Sequence, residues 1–160
     1  MAIDLQKYHQ DETCTAFTWR SLLVLVWHRS PSADAFETLT PKMIAAAHAS
    51  PHRLLLCAIA APGATSMDAG ARDAAQRGLK RLDDRLAGAV NVITATGFAA
   101  AAIRGALTGL SLLLRPKYPT AFVGSMAEAS AFVAKHWPST DSPEPSIAEL
   151  TEMLSRVAPT

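Results

Sequence analysis

The sequence predicts an α/β domain with a mixed, mostly parallel five-stranded sheet and helices around it. Two uninterrupted apolar runs, Leu22–Trp27 and Leu54–Ile59, have the pattern of strands that are covered on both faces, as strands of parallel sheets usually are. Segments with apolar residues at helical spacing follow both runs. A chain of 160 residues that is 49% apolar is long enough for one domain with a buried core.

The first two strands are predicted to form a hairpin. Residues 13–19 are rich in threonine and aromatic side chains, and only two residues separate them from Leu22–Trp27. The first of these strands is partly polar and the second is apolar throughout. We therefore expect residues 13–19 to form an edge strand and Leu22–Trp27 a central strand.

The remaining elements alternate between helix and strand. Ser30-Pro31-Ser32 provides helix-start chemistry, and Pro41 within the following helix predicts either a kink or a restart. The third strand is centred on Leu54–Ile59, and Pro62-Gly63 stops it. The later segments are predicted as an exposed helix at 66–86, a strand at 90–94, a helix at 98–114 with a line of small residues, a strand at 121–124 and a helix at 125–136.

The chain is predicted to divide into a domain, a linker and a tail helix. The domain covers residues 1–137, and the proline- and serine-rich residues 138–146 have the composition of a flexible linker. Residues 147–160 form an amphipathic helix whose apolar stripe needs a cover. Three arrangements stay open: the helix folds back onto its own core, pairs with a second copy in a homodimer, or stays free for a partner.

Composition and charge exclude several classes of partner. The net charge of +1 gives no field that would attract nucleic acid, so we expect none as a partner. The start of the chain has no secretory pattern, and Arg104 interrupts the one apolar stretch of membrane-spanning length. Cys14 and Cys57 lie in apolar segments, which suits reduced, buried thiols. We therefore expect a cytoplasmic protein without a membrane span.

No arrangement of residues in the sequence indicates catalysis. The five histidines are scattered, and proline interrupts the one pair at helical spacing, His48 and His52. No glycine-rich phosphate motif and no nucleophile elbow is present in the sequence. We therefore expect no metal, no cofactor and no enzymatic activity.

The loop after the third strand is the first candidate site. Ligands favour the carboxyl end of parallel strands, and this loop presents hydroxyl groups at the start of an exposed helix. A phosphate placed there would meet the positive end of the helix dipole. The alternative is an ordinary N-cap serine. The predicted partner-binding residues are Thr65, Ser66, Met67, Asp68 and Arg72.

A second candidate site lies at the start of the helix near residue 98. Helix N-termini attract anions, and no acidic residue lies between Leu86 and Ala127. Gly97, Phe98 and Arg104 are the predicted anion-binding residues. The alternative is that the basic side chains of this region extend along an ordinary surface.

The order of elements between residues 13 and 137 resembles that of a STAS domain, the fold of sulfate-transporter tails and anti-sigma-factor antagonists. In particular, the chain resembles bacterial STAS-like proteins in the Gly-Phe turn into the alanine-rich segment 97–104 and in Ala127-Glu128-Ala129 through Trp137. The resemblance implies a β-β-α-β-α-β-α-β-α order and a non-enzymatic regulatory module that binds another protein. In antagonists the loop after the third strand carries a phosphorylation motif, and Ala64-Thr65-Ser66-Met67 lacks it.

The resemblance and the residues lead to the same working hypothesis. We expect a protein-interaction module that uses the loop at 64–68, the exposed face of the helix that follows it and the tail helix. The alternative function is the binding of a small ligand or an anion, such as a nucleotide or a lipid, near Gly97 and Arg104.

Overall fold

The computed structural model describes residues 3–64 and 66–159 and folds them around one sheet. The strands are β1 (Gln6–Gln10), β2 (Cys14–Trp19), β3 (Leu22–Trp27), β4 (Leu54–Ala60), β5 (Leu86–Ile93) and β6 (Thr120–Val123). The helices are α1 (Ala33–Ala49), α2 (Ala69–Leu82), α3 (Gly97–Leu114), α4 (Met126–His136) and α5 (Ile147–Val157). A single 3₁₀ turn, Asp83–Arg85, joins α2 to β5.

The sheet confirms the predicted α/β class and corrects the number of strands. Its strands follow the order β1-β2-β3-β4-β5-β6, with antiparallel pairs up to β3 and parallel pairs from β3 onward. The sheet therefore has six strands, and β2 is not an edge because β1 pairs with its outer side. The prediction missed β1 because three of its five residues are exposed and polar, so the strand has no apolar pattern.

The sequential strand order decides which helices share a face. Because crossovers between parallel strands are right-handed, helices that join successive neighbours fall on the same side of the sheet. Residues of α1, α2 and α3 accordingly line common cavities with alternate residues of β3 to β6. Helices α4 and α5 cover the opposite face.

The tail helix α5 packs against its own core. Leu150, Met153 and Leu154 are fully buried in the cluster that also contains Leu22 and Val24 of β3. Ser146 and Glu149 close the start of α5 with a reciprocal capping box. Of the three arrangements left open by the sequence, the structure has the first, and it uses most of the apolar stripe that a homodimer would need.

Residues 138–146, which the sequence predicts to be a flexible linker, are tied to the β2–β3 turn. The Asp141 carboxylate accepts hydrogen bonds from the Arg20 guanidinium at 2.8 Å and from the Ser21 hydroxyl at 2.7 Å. The Trp137 indole N–H donates to the Asp141 carbonyl at 2.8 Å. Arg20 itself has a left-handed φ of 52° in the tight turn and lies over the Trp137 ring. These contacts hold the connection to α5 in place.

Two of the predicted helix boundaries are wrong. Helix α2 begins at Ala69 rather than at Ser66, because the Asp68 carboxylate accepts the hydrogen bond from the Ala71 N–H at 2.7 Å. It ends at Leu82, since the following residues form the 3₁₀ turn and Leu86 already pairs with β4. In α1 the helix continues through Pro41 without a restart.

Candidate functional site

Two adjacent cavities lie between α3 and the sheet. Their volumes are about 100 Å³ and about 60 Å³, and both are lined by Trp27, Ala58, Met67, Asn91 and Leu107. Helix α3 forms one wall, β3 to β6 form the floor, and α1 and α2 close the side. The two cavities share these five lining residues and lie side by side beneath α3. We call the two cavities together the α3 cleft.

Small residues in the central strands create the floor of the α3 cleft. The strand registers place Leu25, Ala58, Asn91 and Phe122 side by side across β3 to β6. The neighbouring row contains Leu56, Ala89 and Thr120. Alanine at the centre of both rows leaves a depression between larger side chains. Helix α3 contributes only Ile103 and Leu110 as buried residues, so it leaves the depression partly empty.

Two polar groups in the α3 cleft have no hydrogen-bond partner. The side chain of Asn91 lies in the middle of β5, and it makes no hydrogen bond to any part of the chain that the structure describes. The hydroxyl of Thr120 on β6 is buried and also lacks a partner there. An unpaired buried hydroxyl costs about 1–3 kcal/mol, whereas the half-buried Asn91 amide keeps some access to water. These two groups are therefore candidates for hydrogen bonds to a ligand.

The α3 cleft offers no charge to a ligand. None of the described residues that line the two cavities is acidic or basic. Tyr118, at one end, is buried, and this burial, together with the nearby charge of Asp83, raises its pKa to about 12. Its hydroxyl therefore stays protonated at neutral pH. The cleft combines apolar walls with a few neutral hydrogen-bonding groups, which is the usual composition of a small-molecule site.

Helix α3 differs from the other helices in the capping of its N-terminus, and little of it is buried. Its N-cap residue, Thr96, makes no side-chain hydrogen bond to the helix, whereas the N-cap side chains of α1, α2, α4 and α5 do. Left-handed residues stand at both ends, Gly97 with φ of 68° and Arg115 with φ of 44°. Only 11% of the helix is buried, and by length and composition it could cross a membrane.

The predicted partner-binding residues differ in their positions and contacts in the structure. Thr65 lies outside the described residues. Ser66 is exposed, and both its N–H and its hydroxyl bond to the Ser30 hydroxyl, at 3.1 and 3.2 Å. Met67 is half-buried and lines both cavities of the α3 cleft. Asp68 caps α2, and Arg72 lies exposed one turn further along that helix.

The predicted anion-binding residues do not form a pocket. Phe98 is 96% exposed, and no atom of the described chain comes within 4 Å of the position that a Cβ of Gly97 would occupy. Arg104 lies instead beside Gly124 at the end of β6, with a guanidinium nitrogen 3.8 Å from the position of a Cβ there. The three residues therefore share α3 without converging on one point.

Titratable side chains form one compact group on the other edge of the sheet. His9 is buried, and its ring nitrogens lie 2.9 Å from Asp11 and 2.9 Å from the Lys42 ammonium. Both contacts tie β1 to its surroundings. Within residues 3–64 and 66–159, no three histidine, cysteine or acidic side chains are grouped in a way that could hold a metal ion.

The polar residues of the α3 cleft were missed at the level of sequence. Asparagine is depleted in strands, and Asn91 interrupts an otherwise apolar strand at a position that faces one side of the sheet. That interruption is a usable signal for a functional position. Thr120 gives no comparable signal, because threonine is common in strands.

The chain was compared with known proteins at the level of family, sequence and fold. No family model, no curated protein and no solved structure matches it.

Proposed function

We propose that this chain is a non-enzymatic binding module that holds a small, neutral and largely apolar molecule in the α3 cleft. The observation that carries the proposal is that the buried Thr120 hydroxyl and the half-buried Asn91 amide have no hydrogen-bond partner in the described chain, in a cleft that is mostly apolar. A bound molecule with one hydrogen-bonding group would satisfy them and fill the empty volume. Both effects would favour binding.

The dimensions and chemistry of the cleft limit the ligand. A combined volume on the order of 160 Å³, the sum of about 100 and about 60 Å³, suits a short aliphatic chain or a single ring. The lack of charged lining residues disfavours a nucleotide or a free phosphate, because their charges would lose hydration without compensation. An alcohol, an amide or a protonated acid supplies a neutral group that can pair with the amide of Asn91.

The proposal is tested by titrating the full chain with straight-chain alcohols of increasing length and recording backbone amide shifts by NMR. We expect saturable shifts at Ala58, Asn91 and Leu107, with affinity that rises with chain length and then falls when the cleft is full. Ala58→Leu, which fills the floor, should weaken binding at least tenfold. Leu112→Ala, on the outside of α3, is the matched control and should bind normally. Absence of saturable shifts in the cleft up to the solubility limit would contradict the proposal.

Protein binding at residues 66–72 is a second candidate function. The observation that favours it is the exposure of Ser66, Asp68 and Arg72 at a loop that also sends Met67 into the α3 cleft. A ligand in the cleft would contact Met67 and so affect the surface that a partner meets. Arg72→Glu should then abolish capture of a specific partner by the full chain, whereas Arg53→Glu, an exposed residue elsewhere, should not. Equal capture by both variants would exclude this role for Arg72.

A further inference from the structure

The outward face of α3 is apolar and uncovered. Phe98 is 96% exposed, Leu112 is 72% exposed and Leu113 is 65% exposed. Between them lie Gly105 and Gly109, and the described chain leaves open space around both. The side chains of this face offer almost no hydrogen-bonding group. Apolar patches of this kind on soluble domains usually mark an interaction surface.

The charges beside this face are positive. Arg104 and Arg115 are exposed, and neither side chain forms an ion pair or a hydrogen bond within the described chain. Residues 87–127 contain no acidic side chain. Lys117 differs from the two arginines because it pairs with Asp83 and Asp84 just after α2. The apolar face of α3 therefore has two uncompensated cations at its margin.

We propose that α3 docks this protein on an anionic lipid surface. The helix would lie flat in the interface, with Phe98, Leu112 and Leu113 among the acyl chains and Arg104 and Arg115 at the headgroups. Ile103 and Leu110 stay buried in the fold and hold α3 to the sheet, so the helix lies on the bilayer and does not cross it. This inference goes beyond the α3 cleft and holds whether or not the cleft is occupied.

A lipid surface fits the face better than a second copy of the chain does. Two copies that met through α3 would bring the uncompensated Arg104 and Arg115 of each close to those of the other, without acidic partners in residues 87–127. Anionic headgroups would neutralise the same cations. A fluid bilayer also adapts to the protruding Phe98 and to the open space at the two glycines.

Flotation of the full chain with vesicles tests the proposal. We expect binding to vesicles of phosphatidylcholine mixed with phosphatidylglycerol, weaker binding to phosphatidylcholine alone, and a loss of binding as salt rises. The three native tryptophans are buried, so Phe98→Trp adds an exposed reporter. Its fluorescence should shift to the blue on binding and be quenched by brominated acyl chains.

Paired variants separate the apolar and the charged contributions. The double variant L112Q/L113Q should bind anionic vesicles at least tenfold more weakly. Its control is Ile147→Gln, an exposed apolar residue on the opposite side of the sheet, which should change nothing. R104Q/R115Q should weaken binding about fivefold for each cation removed. R53Q/K135Q removes the same charge from other exposed positions and should have a much smaller effect.

Circular dichroism of each variant verifies that the fold is kept, since all the substituted side chains are exposed. The proposal is overturned if the chain floats with neither kind of vesicle or if L112Q/L113Q binds as well as the parent. It is also overturned if sedimentation without lipid shows a dimer that L112Q/L113Q abolishes, because the face would then belong to a second copy.

Discussion

Asn91 illustrates how the two faces of one strand differ in this protein. Its neighbours on β5, Val90 and Val92, are fully buried in the cluster beneath α4 and α5, whereas the half-buried Asn91 lines the α3 cleft and its amide has no partner among the described residues. A polar group that stays unpaired inside a fold lowers stability. Such a residue makes physical sense when a ligand completes its hydrogen bonds.

We predict that Asn91→Leu stabilises the free protein by about 1 kcal/mol, because leucine has the same branched shape, fills some of the empty cleft and removes an amide without a partner in the described chain. Urea unfolding followed by circular dichroism measures the change. The same variant should bind alcohols about three- to tenfold more weakly, since one neutral hydrogen bond is lost. A loss of stability would mean that the Asn91 amide has a structural role, contrary to the prediction.

At the scale of elements, the tail helix α5 is part of the core. The cluster on the α4 side of the sheet includes Leu150, Met153 and Leu154, all without exposed surface. Without α5, apolar side chains of β3 and α4 would face water. The helix therefore belongs to the same cooperative unit as the sheet, although a proline-rich connection precedes it.

We predict that Leu154→Ala costs about 2–5 kcal/mol of unfolding free energy, the range for a buried leucine that leaves a cavity. Ile147→Ala, at the exposed start of the same helix, should cost less than about 0.5 kcal/mol beyond its helix propensity. Denaturant titration of both variants provides the comparison. A small cost for Leu154→Ala would indicate that α5 opens independently of the sheet.

The connection to α5 has an acid-sensitive anchor. Burial alone would raise the pKa of Asp141, but hydrogen bonds from Arg20 and Ser21 and the charge of Arg20 outweigh that effect and hold it below 3.8. Because the folded pKa is depressed, the anchor stabilises the fold above pH 3.8. Its contribution disappears as the pH falls through the lower pKa of the folded state.

We predict that Asp141→Asn lowers the unfolding free energy by about 1–3 kcal/mol at pH 7, since it weakens a charge-assisted contact and leaves the Arg20 charge unpaired. The difference between the variant and the parent should shrink as the pH falls below 3.8. Thermal unfolding between pH 7 and pH 2.5 measures it. A difference that stays constant across this range would show that the carboxylate charge is not the cause.

At the scale of the whole molecule, both thiols lie inside the fold. Cys14 and Cys57 are unpaired and buried. Burial raises the pKa of each to about 12, and the charge of Asp11 adds to the shift at Cys14. Neither thiol is therefore ionised at neutral pH, and neither is accessible to a reagent in solution. The two sites report on opposite faces of the sheet, since Cys14 belongs to one core cluster and Cys57 to the other.

We predict that a disulfide-exchange reagent at pH 8 labels both cysteines at the same slow rate in the native protein, and quickly in urea. The rate should follow the free energy of global unfolding, because both thiols become accessible only then. Mass spectrometry of partly labelled chains gives the measurement. Rapid labelling of Cys14 alone would show that the α1 side opens separately. The Asn91→Leu variant, if more stable, should react more slowly at both sites.

Much of the fold could be predicted because its central strands have distinctive sequences. Leu22–Trp27 and Leu54–Ala60 are apolar at nearly every position, as the burial of both faces requires. Strand β1 has no such pattern, since hydrogen bonds to β2 and the buried His9 define it. The sequence also could not predict that the apolar face of α5 packs on its own core. This packing involves contacts between α5 and β3 and a connection held by Asp141 to the β2–β3 turn, which joins residues 120 positions apart.

The α3 cleft could not be predicted, because it arises from the alignment of separate strands. Ala58 and Asn91 are adjacent only through the register of β4 and β5, and Phe122 joins them through β6. Ala58 and Phe122 are ordinary residues in their segments, and of these three only Asn91 gives a signal in the sequence. The sequence did identify α3 and the loop that contains Met67, but not that the two face one another across the cleft.

The order of the strands and helices along the chain gives the two faces of the sheet different coverings. The last two helices pack closely over one side, while the third helix lies over the other with unfilled space beneath it. Substitutions on the face that the last two helices cover will mostly affect the stability of the fold. Substitutions beneath the third helix change the size and polarity of the α3 cleft, so under the proposed function new ligand specificities should be easiest to select there.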